Sequence, residues 1–182
     1  MFVPLIDSDV NNMFQDTFNE LKKEFDCNYI YYQYQYRDFK LTFATHQEWS
    51  DVYINQSLIK HCSLIRIGLH KIALSKTSSV VLRWNDVSPI SKQEKNTLGI
   101  RTEFNICNGI SFGRKTFGVS DYFGLASDAK NFDFPRNIIL NSKKVGYLMD
   151  NLFRAASIKL LYNFINTNNS KSINTKLLML GL

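Results

Sequence analysis

A tyrosine-rich segment constrains the fold of this chain more than any other part of its sequence. Between Tyr29 and Tyr36, five tyrosines and one isoleucine share eight positions with two glutamines. Aromatic and β-branched residues favour strands, in which successive side chains point to opposite faces. The segment therefore predicts a strand that is aromatic on both faces near its start. One face carries Ile30, Tyr32, Tyr34 and Tyr36, and the other carries Tyr29, Tyr31, Gln33 and Gln35.

A second strand follows directly. Phe39, Leu41 and Phe43 alternate with polar residues after a short Arg37-Asp38 connection. Alternation of this kind is typical of a half-buried strand, and the short connection indicates a hairpin. The two strands together predict the beginning of an antiparallel sheet.

Apolar residues at steps of three and four predict the helices. The first predicted helix covers residues 10–25 after an Asp7-Ser8 cap. A second begins at Gln47, with Trp49, Val52 and Tyr53 on one face, and residues 58–72 either continue it as one bent helix or form a separate helix. A short helix is opened by Ser91 and Glu94 and stops near Gly99. A longer pattern covers residues 145–164 and ends at Asn166, where a polar stretch begins.

Four later segments are strand candidates. They are residues 80–84, 102–107, 110–116 and 122–127. Asn108-Gly109 separates two of them, and this dipeptide favours a tight hairpin turn. The order of elements predicts an α+β fold, with an antiparallel sheet between helical layers.

The size and composition fit one domain. The chain has 182 residues with 45% hydrophobic content, enough for a single core. We expect this domain to span residues 1–166, followed by a polar linker and an apolar tail at residues 167–182. Three widely spaced cysteines, no basic N-terminal leader and no uncharged run of about 20 residues indicate a cytoplasmic protein that does not enter a membrane.

The positive charge is confined to the C-terminal quarter. The net charge is +6, yet residues 1–133 hold 15 basic and 15 acidic side chains, whereas residues 134–182 hold seven basic side chains against Asp150. No run exceeds two like charges, which favours a solvated helix face over a polyanion site. Direct DNA binding is therefore not expected.

Three segments resemble the autoinducer-binding domain of LuxR-type quorum-sensing regulators. They are Gln47–Tyr53 (QEWSDVY), Val81–Trp84 followed by Asn85-Asp86, and Asn108–Ser111 (NGIS), and they occur in the family's order. The resemblance covers nearly the whole chain. It implies a PAS-like α-β-α sandwich with a five-stranded antiparallel sheet and an amphiphilic ligand held between the sheet and one helical layer.

The resemblance also implies the site residues. Trp49 would donate its indole N–H to a ring carbonyl of the ligand, Tyr53 would contact the acyl portion and offer its hydroxyl, and Trp84 would form a wall. By the same register, the remaining lining residues would be Tyr32, Leu41, Thr45 and Ile65. Indole and phenol combine flat apolar surface with a hydrogen-bonding group, which suits an amphiphilic ligand.

The chain departs from the family pattern in two places. Cys62 stands where the family carries the Asp that accepts the ligand's amide N–H, which argues against an ordinary acyl-homoserine lactone. After Asn166 there is no segment long enough for a helix-turn-helix module. The resemblance therefore implies a stand-alone form or an excised domain that acts as a homodimer or as a heterodimer with a LuxR-type regulator. The long helix from about residue 141 to 164 would contribute to the dimer contact.

Three other functions compete with a sensing domain. An enzyme would use Cys62 with His46, His61 or His70, but Cys62 falls on an apolar helical stripe. A nucleic-acid module would stack bases on the tyrosines of the first strand. A scaffold would have a degenerate pocket filled by side chains. We expect no catalytic residue, no metal site and no cofactor.

Overall fold

An antiparallel sheet of five strands forms the centre of the molecule, in the order β2-β1-β5-β4-β3. The computed structural model describes the backbone of residues 3–74 and 78–179, and within them the side chains of residues 10–72, 74 and 78–165. The strands are β1 (Tyr29–Tyr36), β2 (Phe39–Ala44), β3 (Ser79–Arg83), β4 (Asn108–Thr116) and β5 (Val119–Ser127).

Within the described residues, six α-helices cover the two faces of this sheet. They are α1 (Val3–Phe25), α2 (Gln47–Asn55), α3 (Ser63–Leu74), α4 (Lys92–Glu103), α5 (Phe134–Leu140) and α6 (Ser142–Met179). The α+β architecture and the five-stranded antiparallel sheet predicted from the sequence are confirmed. No helix in the described part of the chain is both long and apolar enough to cross a membrane.

The two faces of the sheet carry cores of different size. On the first face Ile30, Tyr32 and Tyr34 pack with α1, α5 and α6, in a cluster of 20 buried hydrophobic residues among the described side chains. On the second face, the described residues form a smaller cluster of six buried hydrophobic side chains: Tyr29, Trp49, Leu58, Trp84, Ile106 and Ala126. The predicted alternation along β1 is therefore confirmed.

An ion-pair network ties the first layer to the sheet. Arg114 on β4 donates from Nη2 to Oδ2 of Asp121 on β5 at 2.6 Å and from Nη1 to Asp150 on α6. Asp121 is 1% exposed, whereas the side chain of Asp150 is 53% exposed. Arg114 thus joins two strands and the long helix through one buried and one exposed carboxylate.

The strand predicted at residues 102–107 is wrong, because α4 continues through Gly99 to Glu103. Ser91 Oγ accepts the backbone N–H of Glu94 at 3.1 Å, so the predicted N-terminal cap is present. Gly99 is exposed and does not stop the helix, since glycine inside a helix costs only about 1 kcal/mol relative to alanine.

The hairpin predicted at Asn108-Gly109 is also wrong. These residues open β4, and the turn that joins β4 to β5 lies at Phe117-Gly118. Both turn residues have positive φ, 48° and 82°, as the two-residue turn of a twisted hairpin requires. Close packing, described below, accounts for the glycine at position 109.

Three helix boundaries differ from the predictions. The first helix begins at Val3 rather than at the Asp7-Ser8 cap. Residues 58–74 form a 3₁₀ turn at Leu58–His61 and then α3, separate from α2, so the alternative with two helices after Gln47 is the correct one, and the second helix begins at Ser63. Helix α6 does not end at Asn166 but continues to Met179. Residues 180–182 of the predicted apolar tail lie outside the described residues.

Candidate ligand-binding cavity

A cavity of about 400 Å³ lies between the second face of the sheet and helices α2, α3 and α4. Its floor includes alternate residues of β1, from Tyr29 and Tyr31 to Gln33 and Gln35. Most of the lining is apolar or aromatic, and sites for small molecules typically measure about 300–1,000 Å³ with such linings. The cavity therefore has the size and character of a small-molecule site.

Trp84 forms one wall, at the end of β3. Its indole Nε1 donates to Ser111 Oγ at 2.7 Å, so the donor is satisfied within the protein. A Cβ at Gly109 would lie 2.3 Å from Cε3 of the ring. Only a residue without a side chain permits this approach, which explains the glycine at the start of β4.

Trp49 and Tyr53 lie one turn apart on α2 and both line the cavity. Their ring centroids are 4.9 Å apart with an interplanar angle of 35°. His46 caps the helix, since its Nδ1 accepts the backbone N–H of Trp49 at 3.4 Å. Trp49 is buried and also packs on Phe104, with ring centroids 5.7 Å apart. Phe104 and the cap thus fix the start of the helix that presents both rings.

Cys62 lines the cavity beside Tyr53, between the 3₁₀ turn and α3. Burial raises the pKa of the Tyr53 phenol well above its usual range, and the neighbouring Cys62 thiol raises it further. Burial likewise raises the pKa of the Tyr29 phenol. Both phenols are therefore neutral at physiological pH and present hydroxyl groups that can donate or accept a hydrogen bond.

Helix α3 supplies an apolar and partly open side of the cavity. Ile65, Leu69 and Ile72 line it, and Ile65 and Leu69 are 38% and 55% exposed. Gly68 on the same helix also lines the cavity, and a Cβ at this position would meet no atom within 4 Å. Space is therefore available next to α3.

The structure brings five of the eight predicted site residues to this cavity: Trp49, Tyr53, Cys62, Ile65 and Trp84. It places the other three elsewhere. Tyr32 and Leu41 pack in the core on the first face of the sheet, because they alternate with the residues that face the cavity. Thr45 accepts the backbone N–H of Ile30 through Oγ1 at 2.9 Å, closing the β1–β2 hairpin. The tyrosine of β1 at the cavity is Tyr31 rather than Tyr32.

Arg101 is a cavity residue that the sequence predictions missed. It is 8% exposed, and its Cζ lies 4.6 Å from the centroid of the Trp84 ring. Burial lowers the pKa of its guanidinium. The signal was the spacing of Glu94, Thr97 and Arg101, which the Ser91 cap places on one face of α4 and which are all buried. Thr97 and Arg101 of this face line the cavity, whereas Glu94 pairs with Arg66 outside it.

The arrangement of the tyrosines, Cys62 and the histidines does not favour a nucleic-acid module or an enzyme. Tyr29, Tyr32 and Tyr34 are buried, so they offer no surface on which bases could stack. His61 and His70 are exposed, whereas Cys62 faces the cavity. Within the described residues, no group of three or more His, Cys, Asp or Glu side chains could hold a metal ion.

Comparison with solved structures shows the fold. Over 90% of this chain and 69% of the other, it superposes on Escherichia coli SdiA with a TM-score of 0.54 at 11% identity. SdiA in complex with octanoyl-rac-glycerol matches with a TM-score of 0.47 at 9% identity, over 69% of this chain and 54% of that one. The N-acylhomoserine lactone dependent LuxR-family transcription factor CepR2 from Burkholderia cenocepacia matches with a TM-score of 0.46 at 16% identity, over 82% of this chain and 94% of that one.

No protein-family model matches the sequence, and no curated protein matches it. The resemblance predicted from the three short segments is nevertheless confirmed at the level of fold. The chain has the fold of a LuxR-family autoinducer-binding domain.

Proposed function

We propose that this chain is a sensing domain that takes a small amphiphilic molecule into the cavity between the sheet and α2–α4. The observation that carries the proposal is the cavity itself, about 400 Å³ and lined by Trp49, Tyr53 and Trp84. A degenerate pocket filled by side chains would leave no such space. In this proposal residues 1–166 form the sensing domain and the protein performs no chemistry.

The aromatic groups divide the contacts with the ligand. Trp84 already donates to Ser111, so it contributes flat apolar surface. Trp49 would donate its indole N–H to a carbonyl oxygen, and the neutral Tyr53 hydroxyl would serve as a second donor or as an acceptor. Cys62 is a weak acceptor for an amide N–H compared with a carboxylate, which argues against an ordinary acyl-homoserine lactone.

Ligand binding would complete the smaller of the two cores. Among the described side chains, six buried hydrophobic residues form the core on the second face, and the cavity adjoins them. A molecule that binds the folded state alone stabilises it by about 2.7 kcal/mol at a hundred times its dissociation constant. Binding of the ligand would thus increase the stability of the α2–α4 layer.

The output would pass through a partner chain. The middle of α6 presents a partly exposed apolar face, with Leu161 and Phe164 at 59% and 64% exposure and Ile158 at 42%. Apolar residues grouped on an exposed helix are typical of a contact with another chain. We propose a homodimer or a heterodimer with a LuxR-type regulator through this helix, in the cytoplasm.

The test fills the cavity from α3. Gly68→Leu places a side chain in the cavity, and Gly99→Leu makes the same change on the exposed side of α4, where a Cβ also meets no atom within 4 Å. The melting temperatures of both variants and of the wild type are measured with octanoyl glycerol and with N-octanoyl homoserine lactone. We expect at least one probe to raise the melting temperature of the wild type and of Gly99→Leu, but not of Gly68→Leu.

Two outcomes would contradict the proposal. In the first, Gly68→Leu responds to the probe as strongly as the wild type does, which would place binding elsewhere. In the second, no amphiphile of either class changes the wild type and native mass spectrometry finds no molecule that co-purifies with it.

A further inference from the structure

We infer that the ligand of this cavity carries a carboxylate on an apolar tail, and that Arg101 binds this carboxylate. The inference rests on the proposed function, because it names the chemistry of the molecule that the cavity takes. It starts from a buried cation for which the described residues provide no anion.

Arg101 differs from the other buried or half-buried arginines in its partners. Its side chain is 8% exposed, its Nε is buried without a hydrogen-bond partner, and within the described residues no carboxylate forms an ion pair with it. By contrast, Arg66 pairs with Glu94 at 2.6 Å and Arg114 pairs with Asp121 at 2.6 Å. Buried charges in proteins are paired as a rule, so an unpaired guanidinium facing a cavity indicates a missing partner.

The Trp84 ring does not supply that partner. The Arg101 Cζ lies 4.6 Å from the ring centroid, a cation–π distance. The face of the ring offers electrostatic attraction but no lone pair in the plane of the guanidinium N–H groups. Five N–H donors in a planar fork are matched by the two oxygens of a carboxylate, which bind them side by side.

The charges around the cavity have a single sign. Among the described lining residues the charged side chains are Arg101 and Lys40, and none is an aspartate or a glutamate. Tyr29 and Tyr53 are neutral phenols at pH 7.5, and burial raises the pKa of both still further from that pH. A ligand with a negative charge would therefore meet attraction and no repulsion inside this part of the site.

The rest of the cavity suits the tail of such a molecule. Ile65, Leu69 and Ile72 of α3 and Val80 of β3 present aliphatic surface. A carboxylate at Arg101 with an alkyl chain along these residues would satisfy the cation and fill apolar space at once.

The experiment compares probes that differ only in the head group. Decanoate, decan-1-ol and decylamine are titrated below their aggregation concentrations into the full chain at pH 7.5. Binding is followed by calorimetry and by the fluorescence of Trp49 and Trp84, the two tryptophans of the chain, which both line the cavity. We expect decanoate to bind about ten- to a hundred-fold more tightly than decan-1-ol, and decylamine to bind most weakly.

The variants assign this preference to one side chain. Arg101→Met removes the charge and retains the aliphatic length, and we expect it to lose the preference for decanoate over decan-1-ol. Arg37→Met is the matched control, because Arg37 also lies over an aromatic ring, 5.3 Å from the centroid of Tyr36, but on an exposed turn away from the cavity. It should retain the preference of the wild type.

The outcomes separate this inference from the proposed function. Equal binding of decanoate and decan-1-ol by the wild type would overturn the role of Arg101 and leave an amphiphile site intact. A preference for decanoate that survives in Arg101→Met would also overturn it. If no probe binds, the cavity does not take amphiphiles of this length, and both proposals lose their support.

Discussion

Gly109→Ala tests how the wall of the cavity is built. The added Cβ would lie 2.3 Å from Trp84 Cε3 and 2.4 Å from Cδ2. Carbon atoms in proper contact are about 3.5–4.0 Å apart, so the ring or the strand must move by more than 1 Å. The φ of Gly109 lies outside the left-handed region, and alanine is therefore excluded by packing and not by backbone conformation.

The expected loss of stability is the sum of three effects. Overpacking a buried site costs about 1–3 kcal/mol. Displacing the ring weakens the hydrogen bond from Trp84 Nε1 to Ser111 Oγ, a further loss of about 0.5–1.5 kcal/mol. Alanine returns about 0.4–1 kcal/mol by restricting the unfolded chain. We expect a net loss of about 2 kcal/mol, which for a chain of this length lowers the melting temperature by about 4–8 °C.

The assay is urea unfolding monitored by circular dichroism and by tryptophan fluorescence. Gly99→Ala is the matched control, since the new methyl group meets nothing and should stabilise α4 by about 0.5–1 kcal/mol. In a Trp84→Leu background the clash is relieved, so Gly109→Ala should cost little there. The reasoning fails if Gly109→Ala is as stable as the wild type, or if its cost is the same in both backgrounds.

Two further predictions concern charged groups outside the cavity. Asp121→Asn should destabilise the fold by about 3 kcal/mol, because it leaves the half-buried Arg114 without its main partner. Asp150→Asn, at the exposed end of the same network, should cost less than about 1 kcal/mol. Chemical denaturation of both variants measures the two free energies. The ion pair with Arg66 and the backbone N–H of Ile90 lower the pKa of Glu94 below its ordinary value of 4.5. The contribution of Glu94 to stability is therefore present above pH 4.5 and is lost as the pH falls below it. The urea midpoint of unfolding, measured from pH 6 to pH 3, should fall more steeply for the wild type than for Glu94→Gln. Parallel curves for the two proteins would refute this prediction.

The sequence predicted the sheet well where side chains alternate. Tyr29–Tyr36 and the Phe39–Phe43 arm specify their strands because a shift of one residue would exchange every buried side chain between the two faces. The alternation along β1 does not indicate which of its two faces lines the cavity. Tyr32 was expected at the cavity, and the structure places Tyr31 there, because both faces of β1 are aromatic and nothing in the alternation distinguishes a core from a cavity.

Errors occurred where packing overrides a local preference. Asn108-Gly109 is a strong turn signal, yet its glycine is required by Trp84, a residue 25 positions earlier in the chain. Gly99 predicts the end of a helix because glycine commonly follows the last helical residue, yet α4 continues past it to Glu103. The buried face of that helix is polar, and this feature concealed Arg101 as well, since hydrophobic periodicity does not report a polar face that lines a cavity.

The unequal cores on the two faces of the sheet have a consequence for hydrogen exchange. Among the described side chains, opening α1 and α6 would expose a cluster of 20 buried hydrophobic residues, whereas opening the α2–α4 side would expose six. Amide protons in α2 and α3 should therefore exchange through low-energy openings, and those in α6 near Val145–Ala156 only in rarer and larger openings. In the proposed function, a ligand would therefore enter through the less stable α2–α4 side, and α6 would stay folded while it does so.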